Sequence, residues 1–270
     1  MKKDYTIDDL TDILSTLRSE NGCPWDRVQT HDTIKKHIIE EGYEVIDALE
    51  RGDDAMFANE LGDLLLQVVF HSQIAVERGA FDFGDVVNEI CRKLISRHTH
   101  VFGEDKAVDA AQALNTWDDN KRKEKGELSV AESMRDVPAV FPSLMRAEKI
   151  QKKAAKVGFD WPDISGAIAK THEEVDELSA AITDAIADAI ASEESNFIRE
   201  EYGDLLFSLV NVGRFLKLDP EEALRRATDK FINRFEILEQ LAQENQEKLS
   251  NMTLEELDSL WEQAKSKKIQ

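Results

Sequence analysis

Proline and glycine are scarce in this 270-residue chain, at 5 and 12 residues. So few breakers leave long stretches free for regular structure. Cysteine is scarcer still: Cys23 and Cys91 form neither a metal-ligand spacing nor a disulfide framework, which suits a reducing compartment. Long apolar runs are missing too. The most apolar stretch, Leu64 to Phe70, is too short to span a bilayer. The N-terminus, Met1-Lys2-Lys3-Asp4-Tyr5, turns acidic at once and has no apolar signal core, so a soluble cytoplasmic protein is expected. Positive charge is in deficit: 34 Lys and Arg face 55 Asp and Glu, a formal net charge of −21. Such a surface repels nucleic-acid backbones and anionic membranes, and neither is expected as a partner. A small phosphorylated ligand stays compatible if a metal and a few local cations reverse the field at one spot.

Several familiar chemistries lack their motifs. There is no Glu-x-x-His, which argues against a ferritin-like di-iron bundle, and no Gly-x-x-x-x-Gly-Lys or Gly-x-Gly-x-x-Gly. Neither cysteine lies in a Cys-x-x-Cys. His98-x-His100 has no other placed ligands and reads as packing or capping, and Trp25 and Trp161 read as core or edge aromatics.

What is present is helical periodicity. Ile34, Ile38, Val45, Ile46 and Leu49 recur at helical steps, as do Leu61, Leu64, Leu65, Val68 and Val69. The run Ala180 to Ala191 is Ala-rich, another helix signal. No segment alternates at period two long enough for a sheet, so the expected class is all-α.

An acidic pattern is written twice. Glu40-Glu41-x-x-Glu44 precedes Glu60-Leu61-Gly62-Asp63-Leu64-Leu65, and Glu173-Glu174-x-x-Glu177 precedes Glu201-Tyr202-Gly203-Asp204-Leu205-Leu206. The register continues, since Lys93-Leu-Ile-Ser-Arg97 answers Lys230-Phe-Ile-Asn-Arg234. Each half reads as acidic helix, turn, acidic helix, turn, basic helix. Such duplication divides the chain into an N-terminal domain at 1–115, a charged, proline-containing linker at 116–155 and a C-terminal domain at 156–270.

The spacing carries chemistry. Glu174 and Glu177 share a helix face, as do Glu201 and Asp204. Paired antiparallel, the two helices would bring four carboxylates to one spot, an all-oxygen site suited to Mg²⁺ with room for water and phosphate. Lys230 and Arg234 share a face of the third helix and suit phosphate oxygens. A single Glu-x-x-Glu is an ordinary solvated helix face; a doubled, ordered set with matched spacing is not.

With Asn21-Gly-Cys-Pro-Trp-Asp26, Gln29-Thr30, Arg97-His-Thr-His-Val-Phe102 and Asp229-Lys-Phe-x-x-Arg234 in the same order, the chain resembles the MazG family of all-α nucleoside triphosphate pyrophosphohydrolases over essentially its full length. The resemblance implies two tandem helical-bundle domains completed by homodimerisation. It also implies Mg²⁺-dependent hydrolysis of a nucleoside triphosphate, ATP-like in its phosphates, to monophosphate and pyrophosphate, in the service of nucleotide-pool cleansing. The implied metal ligands are Glu174, Glu177, Glu201 and Asp204, with a weaker second set of Glu41, Glu44, Glu60 and Asp63. Lys170, Lys230 and Arg234 would meet the phosphates with Glu173 beside the site, linker Lys121 would reach toward them, and Trp261 would contact the nucleotide. Glu173 and Asp229 are both candidates for the base. Because Asp229 precedes Lys230 where the N-terminal half has Arg92 before Lys93, the C-terminal half is expected to be the catalytic one. A non-catalytic nucleotide sensor, or a helical scaffold for a basic partner protein, is the alternative.

Overall fold

A computed structural model describes residues 4–126, 129–188 and 194–267. Helices dominate, and no strand occurs among the described residues. The chain separates into two compact units, Met1–Gly126 and Glu127–Gln270. Unit 1 carries α1 (Ile7–Arg18), α2 (Pro24–Val28), α3 (His31–Ile34), α4 (His37–Arg51), α5 (Asp54–Glu77), α6 (Phe83–Arg97), α7 (Thr99–Phe102) and α8 (Ala110–Lys125). Unit 2 carries α9 (Val130–Arg135), α10 (Ser143–Ala155), α11 (Ile164–Asp188), α12 (Glu194–Phe215), α13 (Pro220–Glu244) and α14 (Leu254–Ser266). The Ala-rich run extends α11 as far as Asp188, and its last residues lie outside the described ones.

Residues 116–155, expected as a linker, are largely helical and divided between the units. Trp117 and Lys121 sit on α8 in unit 1, whereas α10 packs on α12 and α13 inside unit 2. The reason is α10's buried side: Gln151 donates from Nε2 to the Phe207 carbonyl at 2.8 Å, and Glu221 Oε1 accepts the N–H groups of Leu144 and Met145 at the helix start. Charge density made this stretch look solvated, but these polar contacts and helix packing hold α10 within unit 2.

Unit 1 is built around α5, the longest helix there, which packs on both α4 and α1. Leu14 from α1, Ile34 from α3 and Val69, Phe70 and Ile74 from α5 form one buried cluster. Each such side chain contributes about 1.5–3 kcal/mol when removed from water. Helix starts are set by sequence. Thr6 and Asp9, and Asp82 and Asp85, form reciprocal capping boxes at α1 and α6. Gly52, at φ +68°, ends α4, and the next residue, Asp53, caps α5, so the chain reverses tightly between its two acidic helices.

The buried Arg18 guanidinium ties three segments together. It pairs with Glu77 through two 2.7 Å hydrogen bonds, donates to the carbonyls of Asp26 and Gln29, and lies over the Phe70 ring. His31 and His71 add a second tie between α3 and α5. Their Nδ1 atoms are 2.7 Å apart, the ring planes differ by only 5° and the centroids lie 5.0 Å apart. Parallel planes with nitrogens this close mean edge-to-edge rings rather than stacked faces, so one Nδ1–H donates to the other's lone pair. His98 keeps to the capping role expected of it, its Nδ1 meeting the Leu94 carbonyl at 2.7 Å.

Unit 2 repeats the plan. Helices α11 and α12 pack extensively on each other, and α13 packs on α14 around Leu238, Leu241, Ala242 and Leu260. Trp25 and Trp161 are both exposed edge aromatics. Trp161 lies so close to the first turn of α11 that a Cβ on Gly166 would sit 2.8 Å from its ring. The neighbouring Asp160 pairs with Arg214 of α12, holding the entry to α11 against its partner helix.

The histidine pair makes unit 1 sensitive to acid. Burial, and then the charge of His31, hold His71 below the ordinary imidazole range. The unfolded chain therefore takes up the proton first as pH falls. Stability that is fully present above about pH 6.5 is lost as pH drops through the lower, folded pKa. His71→Phe should flatten this part of the thermal midpoint's pH dependence between pH 7.5 and 5.5. An unchanged slope would mean the pair does not titrate on unfolding.

Candidate metal centres

In each unit the helical hairpin brings three of the four expected acids together. Glu174 and Glu177 on α11 meet Glu201 on α12, each offering an oxygen within 4.8 Å of the others. In unit 1, Glu41 on α4 meets Glu60 and Asp63 on α5 under the same limit. Oxygens around an octahedral Mg²⁺ at about 2.1 Å stand about 3–4.2 Å apart, so side-chain adjustment alone would close either cluster on such an ion. The donors are carboxylates only, with no nitrogen or sulfur, which fits a hard divalent cation.

The fourth acid of each expected set stands apart from the convergent three, and it is not the same one in the two units. Asp204 is exposed and acts on Glu201 through its field, while in unit 1 Asp63 converges and Glu44 is the outlying acid. Crowding has the expected electrostatic effect. Burial, then the charges of Glu177, Glu174 and Asp204, push the Glu201 carboxyl above its ordinary range. Burial, then Asp63, Glu44 and Glu60, do the same to Glu41. Glu174 is only 4% exposed and Glu60 8%. Carboxylates enclosed beside other acids are groups that lack sufficient positive charge.

The two clusters differ in what lies against them. Lys170 Nζ, expected at phosphates, stands 2.6 Å from Glu173 Oε1, 2.7 Å from Glu174 Oε1 and 4.0 Å from Glu177 Oε2. Glu173, then Glu174, hold the ammonium above the ordinary lysine range. Unit 1 has amides instead: Asn59 donates to Glu60 and Asp63 at 3.4 and 3.3 Å, and Gln67 to Glu41 at 3.4 Å. Neither Lys170's actual partners nor these amides were anticipated, although Lys170 four residues before Glu174 is a spacing that signals a helical ion pair.

The remaining expected residues form a separate group on α13 and α14. Lys230 and Asp229 are exposed; Arg234 is half-buried, with its Nε enclosed and lacking an acceptor among the described residues. Trp261 packs against Phe231, centroids 5.0 Å apart, between the two cations in sequence. Helix α13 is held mainly by α14 and α10. Lys121 belongs to unit 1, where its Nζ and the Arg97 guanidinium lie 4.8 and 5.4 Å from the Trp117 ring centroid, Arg97 being paired with Glu124 at 2.9 and 3.0 Å.

Fold and clusters together define a class: an all-α protein of two repeated helical units, each with a carboxylate centre of the kind that takes a divalent cation. The model of the MazG nucleotide pyrophosphohydrolase domain matches residues 29–102 and 164–238, together more than half of the chain and one match per acidic hairpin. Similar proteins include the nucleoside triphosphate pyrophosphohydrolase/pyrophosphatase MazG of Thermotoga maritima, 44% identical over 96% of this chain and 95% of its own length. The nucleoside triphosphate pyrophosphohydrolase of Escherichia coli K12 is 41% identical over 97% and 98%. The chain belongs to the MazG nucleotide pyrophosphohydrolase family.

A carboxylate held above its range disfavours the folded, ion-free state, because folding forces together charges that the unfolded chain keeps apart. Glu201→Gln should therefore raise the thermal midpoint without metal at pH 8 and reduce the further rise that Mg²⁺ produces. A fall in the metal-free midpoint would show that Glu201 is already compensated.

Proposed function

We propose that this chain hydrolyses nucleoside triphosphates to nucleoside monophosphate and pyrophosphate in an Mg²⁺-dependent reaction, with unit 2 as the catalytic unit. The observation that carries this reading is the convergence of Glu174, Glu177 and Glu201, inside a family whose full-length relatives bear that activity in their names.

In this reading Glu174, Glu177 and Glu201 hold the ion, and Asp204 adds charge from the rim. The bound ion supplies charge neutralisation for the triphosphate and lowers the pKa of coordinated water. The protein's own groups do the rest. Lys230 and Arg234 grip phosphate oxygens, Arg234 with an Nε–H that has no acceptor of its own among the described residues, and they steady charge gathering on the departing pyrophosphate. Trp261 beside them offers an aromatic face to the nucleotide. Water adds across the phosphoanhydride, its oxygen ending on one product and its protons passing to a carboxylate and to solvent. Glu173, which shares Lys170 with Glu174, stands next to the cluster; Asp229 stands next to Lys230 on α13.

The cations of α13 and the carboxylates of α11 and α12 reach one substrate when a second copy completes each bundle. Exposed apolar side chains on the acidic helices support such a homodimer: Tyr43, Leu49 and Leu61 in unit 1, Tyr202, Phe207 and Leu209 in unit 2. Apolar side chains exposed along paired helices are the kind of surface that a second copy would cover. Among the described residues no helix is long and apolar enough to cross a membrane, both cysteines are free, and the net charge of −21 disfavours nucleic acid. We therefore place the protein in the cytoplasm, acting on nucleotide pools.

Charge reversal separates the units. Glu177→Lys should reduce pyrophosphate release by more than ~100-fold, since it puts a cation among the ion's ligands, whereas Glu44→Lys should leave most of it. Equal losses would contradict the division of labour; retention in both would remove the metal reading of unit 2.

A further inference from the structure

Glu174 is the most enclosed acid of the unit 2 cluster, and an enclosed carboxylate demands a counter-charge. Lys170 supplies one. Its Nζ sits 2.7 Å from Glu174 Oε1 and 4.0 Å from Glu177 Oε2, so an ammonium stands against two of the three acids that converge there. Its other hand is on Glu173 at 2.6 Å. The side chain remains 39% exposed, free to swing outward around its four-carbon stem.

The duplicated unit provides an internal comparison. His37 stands three residues before Glu40 as Lys170 stands before Glu173. Its Nδ1 meets Glu40 at 2.6 Å, and Lys36 approaches the same carboxylate at 3.9 Å. Among the described residues neither forms an ion pair with Glu41, Glu60 or Asp63, although the charge of His37 acts on Glu41 from a distance, and the cluster's hydrogen-bonding neighbours are the Asn59 and Gln67 side-chain amides. Among the described residues, an ammonium in direct contact with the convergent acids is thus found in unit 2 and not in unit 1.

We propose that Lys170 is the resident counter-ion of the unit 2 carboxylate centre, that an entering divalent cation displaces it from Glu174, and that the released ammonium then takes a phosphate of the substrate as its new partner. The inference rests on the reading of that cluster as a metal centre. A carboxylate oxygen bound by an ammonium at 2.7 Å is not open to a second cation in the same place, so a metal arriving alone must break the ion pair. A metal arriving with a triphosphate gives the lysine another anion. Metal and nucleotide affinities are thereby coupled, each raising the other. The device favours the metal–nucleotide complex over free metal and keeps Glu174 charged and in place while the site waits.

Mn²⁺ titration of the full-length protein without nucleotide, read by the electron paramagnetic resonance of free Mn²⁺, tests this directly. Wild-type protein should bind Mn²⁺ at a site lost in Glu174→Gln. Lys170→Met should bind at that site about three- to fivefold more tightly, the amount an ion pair of this exposure provides, and Lys170→Gln should behave alike should the methionine variant fold poorly. Arg199→Gln serves as the control, removing a cation two residues from Glu201 that makes no ion pair among the described residues; it should shift affinity much less. Thermal melts add a readout that an ordinary helix-surface pair would not move: Lys170→Met should melt below wild type without metal, and saturating Mn²⁺ should erase the difference. Unchanged or weaker Mn²⁺ binding in Lys170→Met would overturn displacement while leaving the metal centre intact. Equal tightening in Arg199→Gln would overturn it too, because distant charge would then suffice. Absence of any Glu174-dependent Mn²⁺ site would remove the metal centre and this inference with it.

Discussion

Enclosed negative charge is the constraint on which the rest of this molecule depends. Glu174 and Glu60 are almost fully withdrawn from water on helices that bring further acids within a few ångströms. Such an arrangement is unfavourable unless something positive joins it. In unit 2 a lysine from the same helix does so; in unit 1 two amides soften the field without neutralising it, and Glu41 is held above its ordinary range. A helical bundle assembled for stability alone would replace these acids with apolar residues. Keeping them twice, in matched register, fits the proposed reading of sites that gain their missing charge from a ligand.

Scaffold and site divide the work between them. A left-handed glycine after α4 and the Asp53 cap set the α4–α5 hairpin, close packing joins α4 to α5 and α11 to α12, and these place the acids. Elements around each hairpin then differ: unit 1 is locked by Arg18 and the His31–His71 pair, unit 2 by Asp160–Arg214 and the Trp161–Gly166 contact. The duplication has thus kept the acidic core while its supports diverged. Cations stand near aromatics on later helices in both halves, Arg234 on the helix whose Phe231 meets Trp261 in one, Arg97 against Trp117 in the other.

Helical class, duplication and the acidic clusters were legible in the sequence, because helix periodicity fixes which side chains share a face. Three-residue spacing put Glu174 with Glu177 and Glu60 with Asp63, and both pairs converge with an acid from the neighbouring helix. Spacing says less about depth or rotamer. It did not reveal that Asp204 would stay at the rim while its counterpart Asp63 turned inward, nor that Lys170 would point into the carboxylates. Charge density in 116–155 suggested a linker, yet α8 packs on α6 and α7, where Arg97 pairs with Glu124, and α10 packs within unit 2, where Gln151 is buried. The His31–His71 contact spans 40 positions, a separation at which sequence periodicity carries no information.

Phosphorus NMR of the products formed from a panel of nucleoside triphosphates, with and without Mg²⁺, bears most directly on the account. Monophosphate and pyrophosphate in equal amounts, appearing only with the ion, is the predicted result. Diphosphate with free phosphate would contradict the bond assignment, and a folded protein that binds nucleotide yet releases no product would make these carboxylate centres sensors rather than catalysts.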